Sequence, residues 1–214
     1  KLSGFRRGIT MASFLQSTSR AVLRLASASP RRRELLASIG VAVEIAPADI
    51  DESRREGESP EDFVSRLARE KAEAGHIGSS LPTLGADTVV VCDGAIFGKP
   101  NDEAHAREML AALSGRTHRV LSSVAVIGAH GMRDCLVATR VSMRRIDEAE
   151  MAAYWATGEP ADKAGGYAIQ GHAAIFVERL EGSYSAVVGL PLYETAGLLR
   201  AQGIALWDGV GAVS

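Results

Sequence analysis

Leu25-Ala26-Ser27-Ala28-Ser29-Pro30-Arg31-Arg32-Arg33-Glu34-Leu35-Leu36 carries a strand into a helix through a turn of small residues. Apolar Val22, Leu23 and Leu25 predict the strand over residues 22–26. Ser29 suits a helix N-cap and Pro30 the first helical position. Free N–H groups, two hydroxyls and fixed positive charge therefore converge where a strand ends. Such a place can hold a polyanion, above all a phosphate chain. An arginine triplet is also a common solvated helix face. Successive helix positions turn by about 100°, so Arg31 and Arg32 are better placed toward one ligand than Arg33.

Working outward, residues 30–39 read as a helix ending at Gly40, and residues 41–46 alternate as a second strand. Residues 49–58 form a charged loop. Ser59-Pro60-Glu61-Asp62 is a helix start, and Phe63, Val64, Leu67 and Ala68 form its apolar stripe. Lys71 falls one turn beyond Leu67 on the same side. Residues 83–91, with Val89-Val90-Val91, predict a buried strand, and residues 92–95 a hairpin turn. Helices are expected over 102–113, 147–157 and 191–202. Long strands are expected over 118–127 and 135–145, and a last strand over 175–180. Hairpins interleave with strand–helix units, so the sheet should be mixed.

Composition sets the outer limits. The 214 residues are 46% hydrophobic, enough for a substantial core, and the net charge is −2. That charge argues against a general nucleic-acid binder, so a basic site must be local. Cys92 and Cys135 form neither a metal spacing nor a disulfide framework, which makes a reducing compartment the default and leaves only a single bridge open. No apolar run is long enough to span a bilayer. The first 33 residues hold no acid and are rich in arginine and serine. Residues 1–19 are therefore expected to be a disordered, leader or trimmed extension, residues 20–204 the folded domain, and residues 205–214 a tail.

Asp87 is the first candidate for chemistry. It stands in Gly85-Ala86-Asp87-Thr88 beside a buried strand, where a carboxylate is costly unless paired or bound to a cation. It is either a general base or metal ligand activating water, or an acid fixing a turn. Glu52, after Asp51, is a second acid that could share a divalent ion with phosphate oxygens, or simply a solvated loop residue. Lys71 and Lys99 are phosphate partners or surface lysines. Residues 158–171 are rich in glycine and include Lys163 and Gln170, whose amide can read a base edge or serve a buried structural role. The glycine spacing matches neither a Walker loop nor a dinucleotide fingerprint. The five histidines show no metal-ligand spacing, and only His118 is of interest. Ser183 is in no nucleophile elbow.

Taken in order, these segments resemble the Maf family of nucleotide pyrophosphatases. The resemblance rests on Ser27-Ala28-Ser29-Pro30-Arg31-Arg32, Arg69-Glu70-Lys71-Ala72, Gly85-Ala86-Asp87-Thr88 and Gly98-Lys99-Pro100. It continues through Leu113-Ser114-Gly115, Asp162-Lys163-Ala164-Gly165, Ile169-Gln170-Gly171, Gly182-Ser183-Tyr184 and Val187-Val188-Gly189-Leu190-Pro191. It implies a two-lobed, ITPase-like α/β fold: a mixed twisted sheet flanked by helices, with a nucleotide cleft between the lobes. It implies hydrolysis of a nucleoside triphosphate between the α and β phosphates, with Mg²⁺ or Mn²⁺, in a cytoplasmic homodimer. By resemblance Asp87 is the proton acceptor. Ser27, Arg31, Arg32, Lys71 and Lys99 line the phosphate site, and Glu52 assists with metal or water. Arg31, Thr88 and Gln170 match the branch acting on dTTP and UTP. The sister branch acting on 7-methyl-GTP carries tryptophan, glutamine and glutamate there. A non-catalytic nucleotide sensor of cell division is the other alternative. One departure stands out: His172-Ala173-Ala174 occupies a loop where the family usually has a further glycine.

Overall fold

β3 (Thr83–Cys92) is buried along nearly its whole length, as the valine run predicts. In the computed structural model, which describes residues 20–207, it organises a seven-stranded sheet. β1 (Leu23–Leu25) lies parallel to β3 and to β2 (Val43–Ile45). On the other side β5 (Thr117–Gly128), β6 (Gly131–Met143) and β7 (Val177–Glu181) follow in antiparallel order. The short β4 (Ala95–Phe97) returns along β3 through Asp93 and Gly94. The sheet is mixed, as its hairpins and strand–helix units require. The expected extension over residues 1–19 lies outside the described residues, as do residues 208–214 of the expected tail.

Side-chain alternation assigns each face of β3 a partner. Val89 and Val91 pack with Phe63, Val64 and Leu67 of α2 (Pro60–His76). Gly85 is on this face too, and a Cβ there would run into the Ala68 carbonyl and the Ala72 nitrogen. That contact brings α2 down onto the sheet and fixes the height of Lys71. α2 starts as its sequence predicts, with the Ser59 side chain accepting the Asp62 N–H at 3.0 Å.

The opposite face divides. Leu84 and Ala86 join an apolar cluster with α1 (Pro30–Ser38) and α6 (Leu192–Ala201). Val90 and Cys92 join a second cluster with α3 (Glu103–Leu113) and α4 (Glu148–Ala156). β5 repeats the division, with Val124 and Val126 in the first cluster and Val120 in the second. Between them lie polar Thr88 and Ser122, register partners whose hydroxyls are 3.0 Å apart. A cleft opens over that polar gap.

One local expectation needs correction, and one element is new. Ser29 stands at the N-cap of α1 but its hydroxyl makes no capping bond. Ser27 takes over the turn instead, its Oγ accepting the Ser29 N–H at 3.2 Å. The segment around Gly182-Ser183-Tyr184 also forms a short helix, α5 (Tyr184–Val188), that the apolar pattern does not announce. Ser183 caps it by accepting the Ala186 N–H, so its hydroxyl has a structural task. Cys92 and Cys135 are both free thiols.

Candidate active site

The cleft forms where β3 lacks a neighbour. β1 pairs with β3 only as far as Leu84, with Ala26 N–H reaching the Leu84 carbonyl, and then leaves for α1. β4 joins β3 only at Val90. Along the intervening edge the two sheet faces meet one cavity. This is why Asp87, on the α2 face, and Thr88, on the other, both line it. Its volume is about 410 Å³.

Ser27, Arg31, Arg32, Glu52, Lys71, Asp87, Thr88, Lys99 and Gln170 all line this single cavity. Arg33 is exposed and outside it, as the helix geometry predicts. Five cations and three carboxylates surround the space, a local basic site on a chain of net charge −2.

At its floor Lys71 Nζ donates to Asp87 Oδ1 at 2.8 Å and lies 2.9 Å from Glu52 Oε1. Lys71 and Asp87 are 8% and 9% exposed, so this ion pair is built into the interior. Glu52 reaches in from the solvated loop. Among the described residues Asp87 Oδ2 has no hydrogen-bond partner.

One wall is the start of α1. Arg32 Nη1 donates to Ser27 Oγ at 3.1 Å, and its Nε to the Gly189 carbonyl at 3.0 Å. Burial lowers the Arg32 pKa, opposed by the charge of Asp87 and reinforced by that of Arg31. The uncapped first turn of α1 adds N–H groups that suit an anion. Across the cleft, Arg31 Nη1 donates to Asp162 Oδ2 at 3.0 Å, and Lys163 contacts the other oxygen of the same carboxylate. Burial raises the Asp162 pKa, but its bonds to Lys163 and Arg31 outweigh this and the net shift is downward. Gly165 N–H donates to the Gly98 carbonyl at 2.9 Å, which ties the Lys99 segment to the Lys163 segment.

His118 lies outside the cavity lining. It is 2% exposed, 2.7 Å from the Tyr167 hydroxyl, and pushed down by burial to a pKa of about 4. It supports Tyr167, which lines the cleft.

The match to known proteins covers the described fold. A family profile described as Maf-like protein spans residues 22–202. The chain belongs to the Maf family. A relative from Hahella chejuensis named dTTP/UTP pyrophosphatase is 53% identical over 190 residues, covering 87% of this chain and 94% of its own. One of the same name from Saccharophagus degradans is 52% identical over 193 residues, covering 88% and 92%. One from Escherichia coli O157:H7, also so named, is 51% identical over 179 residues, covering 83% and 91%. A solved dITP/XTP pyrophosphatase from Mycobacterium abscessus aligns at a TM-score of 0.39 with 22% identity, covering 85% of this chain and 94% of that one.

The family's sequence motifs draw attention to Asp162 and Lys163 only as a pair beside glycines. The convergence of Asp162 with Arg31, 131 positions away, is a tertiary fact. Glu159 and Tyr154, which hold the Gln170 loop, carry no local signal of that task.

Proposed function

We propose that this chain hydrolyses a nucleoside triphosphate of the dTTP or UTP type to the monophosphate and pyrophosphate. The observation that carries the reading is Asp87, a buried carboxylate with one oxygen held by Lys71, in the lining of a cation-rich cleft. The names of the relatives supply the substrate class.

In this reading Ser27, Arg32 and the first turn of α1 hold the phosphate chain, with Lys99 on the far side. Lys71 fixes the orientation of Asp87, whose second oxygen takes the proton of a water attacking the α-phosphorus. Arg31 and Lys163 oppose the charge that develops on the leaving pyrophosphate. Thr88 and Gln170 face the base. The Gln170 amide both donates and accepts, as a neutral pyrimidine edge requires.

The donor set fits a divalent ion of the Mg²⁺ or Mn²⁺ kind. Glu52 and Asp87 converge on one point, now shared by the Lys71 ammonium. No cluster of three or more His, Cys, Asp or Glu residues suited to a metal occurs among the described residues. Two carboxylates completed by substrate oxygens is how Mg²⁺ is usually bound, without an all-protein cage. Bound there, the ion would neutralise phosphate charge.

A cytoplasmic homodimer is part of the same proposal, on the family resemblance. No described helix is long and apolar enough to cross a membrane.

The test is pyrophosphate release with Mg²⁺ from dTTP, UTP, the other common triphosphates and 7-methyl-GTP. kcat/KM for dTTP and UTP should lead by about tenfold or more. Release from none of them rejects the hydrolase. A lead for 7-methyl-GTP moves the chain to the sister branch.

A further inference from the structure

Gln170 is exposed on a glycine-rich loop, where a side chain meant to discriminate bases needs a fixed backbone beneath it. The structure supplies one through a single carboxylate. Glu159 Oε2 accepts the backbone N–H of His172 at 3.0 Å and lies 3.0 Å from His172 Nδ1. Glu159 Oε1 accepts the Ala173 N–H at 3.4 Å and the Tyr154 hydroxyl at 2.7 Å. The same Tyr154 oxygen accepts the Ala168 N–H at 3.1 Å. The loop is thus gripped two residues before Gln170 and two residues after it.

Other details agree. A Cβ on Gly171 would overlap the Glu159 carboxylate, so the residue after Gln170 must be small for the grip to close. Burial raises the Glu159 pKa, yet the bonds from His172, Tyr154 and Ala173 outweigh it and the net shift is downward. The His172 ring, 3.0 Å from Glu159 Oε2 through its Nδ1, adds to the clamp. None of these side chains bonds to Ser27 or Arg32; the one link toward the phosphate-facing cations is Lys163 Nζ donating to the Glu159 backbone carbonyl at 3.3 Å, which a change of the Glu159 side chain leaves in place.

We infer that Glu159, acting with Tyr154, is a positioning residue that sets base selectivity by clamping the Gln170 loop. This rests on the pyrimidine-triphosphatase reading above. Glu159→Ala should make the Ala168, His172 and Ala173 amides exchange with deuterium at least about tenfold faster. KM for dTTP and UTP should rise about tenfold, the preference over GTP should shrink by a similar factor, and kcat should stay within about threefold. Glu159→Gln keeps an acceptor for the His172 N–H and should fall between; it also serves if the alanine variant does not fold. In a Gln170→Ala background, Glu159→Ala should add less than about twofold.

Unchanged exchange overturns the clamp. So does faster exchange with KM and base ranking intact, or a loss confined to kcat. Failure of the wild-type chain to release pyrophosphate from any triphosphate rejects the hydrolase itself, and exchange alone then decides the clamp.

Discussion

Neutralising the Lys71–Asp87 pair one side at a time, and then on both sides, separates its structural and chemical roles. At 2.8 Å and an effective dielectric near 20, the pair gains about 6 kcal/mol of Coulomb attraction before desolvation is counted. Removing one partner of a buried pair typically costs about 3–5 kcal/mol. Asp87→Asn should fall at the low end, about 3 kcal/mol, because Glu52 still contacts Lys71 and the amide oxygen still accepts. Lys71→Met should cost about 4 kcal/mol, since it leaves a buried carboxylate with only the more distant charge of Arg32. The double variant carries neither charge and should lose only about 1 kcal/mol. For a chain this long, these values correspond to melting shifts of about 10 °C for each single variant and a few degrees for the double. Pyrophosphate release should behave differently. Asp87→Asn should lower kcat by about 10²–10⁴, and the double variant should stay as inactive despite its recovered stability. Thermal melts and pyrophosphate release on the three variants decide the matter. Near-wild-type turnover in Asp87→Asn refutes the assignment of the base. A double variant no more stable than the sum of its singles refutes the buried ion pair.

Burial holds the His118 imidazole at a pKa of about 4, against about 6.5 in an unfolded chain. Between those values the unfolded state binds a proton that the folded state refuses, so stability is full above about pH 6.5 and declines as pH falls toward 4. Urea melts should show about 2–3 kcal/mol lost between pH 7 and pH 4.5, and less in His118→Asn; equal losses would exonerate His118. Asp162→Asn frees Arg31 and Lys163 from an internal carboxylate that a triphosphate must displace, so KM at low salt should drop about threefold; an increase would make the contact a support for binding. Gly85→Ala places a methyl against the backbone of α2 and should destabilise by at least about 2 kcal/mol in a denaturant melt; a neutral result would show that α2 can shift without cost.

Much of this was readable in the chain because its signals are local. The valine run, the Ser59-Pro60 start and the Asp93-Gly94 turn each concern neighbours in sequence, and each element appears where its pattern puts it. The nine candidate side chains could be selected by residue type and by an ordered resemblance, and all of them line one cavity. What could not be read depends on closure in space. Nothing beside Ser27 says that it will take the turn from Ser29 and also accept from Arg32. Nothing near Glu159 says that its carboxylate will meet the amides after Gln170. The open edge of β3 follows from where β1 leaves and β4 arrives, and neither event is written in β3 itself.

Because β3 and β5 each run through both apolar clusters, the two halves of the molecule are woven from the same threads. There is no linker between them to act as a joint. Any widening of the cleft has to come from twisting of the sheet or from displacement of its rim. Cutting the polypeptide into two independently stable pieces would sever the threads themselves, so heat or urea should melt both halves in one step.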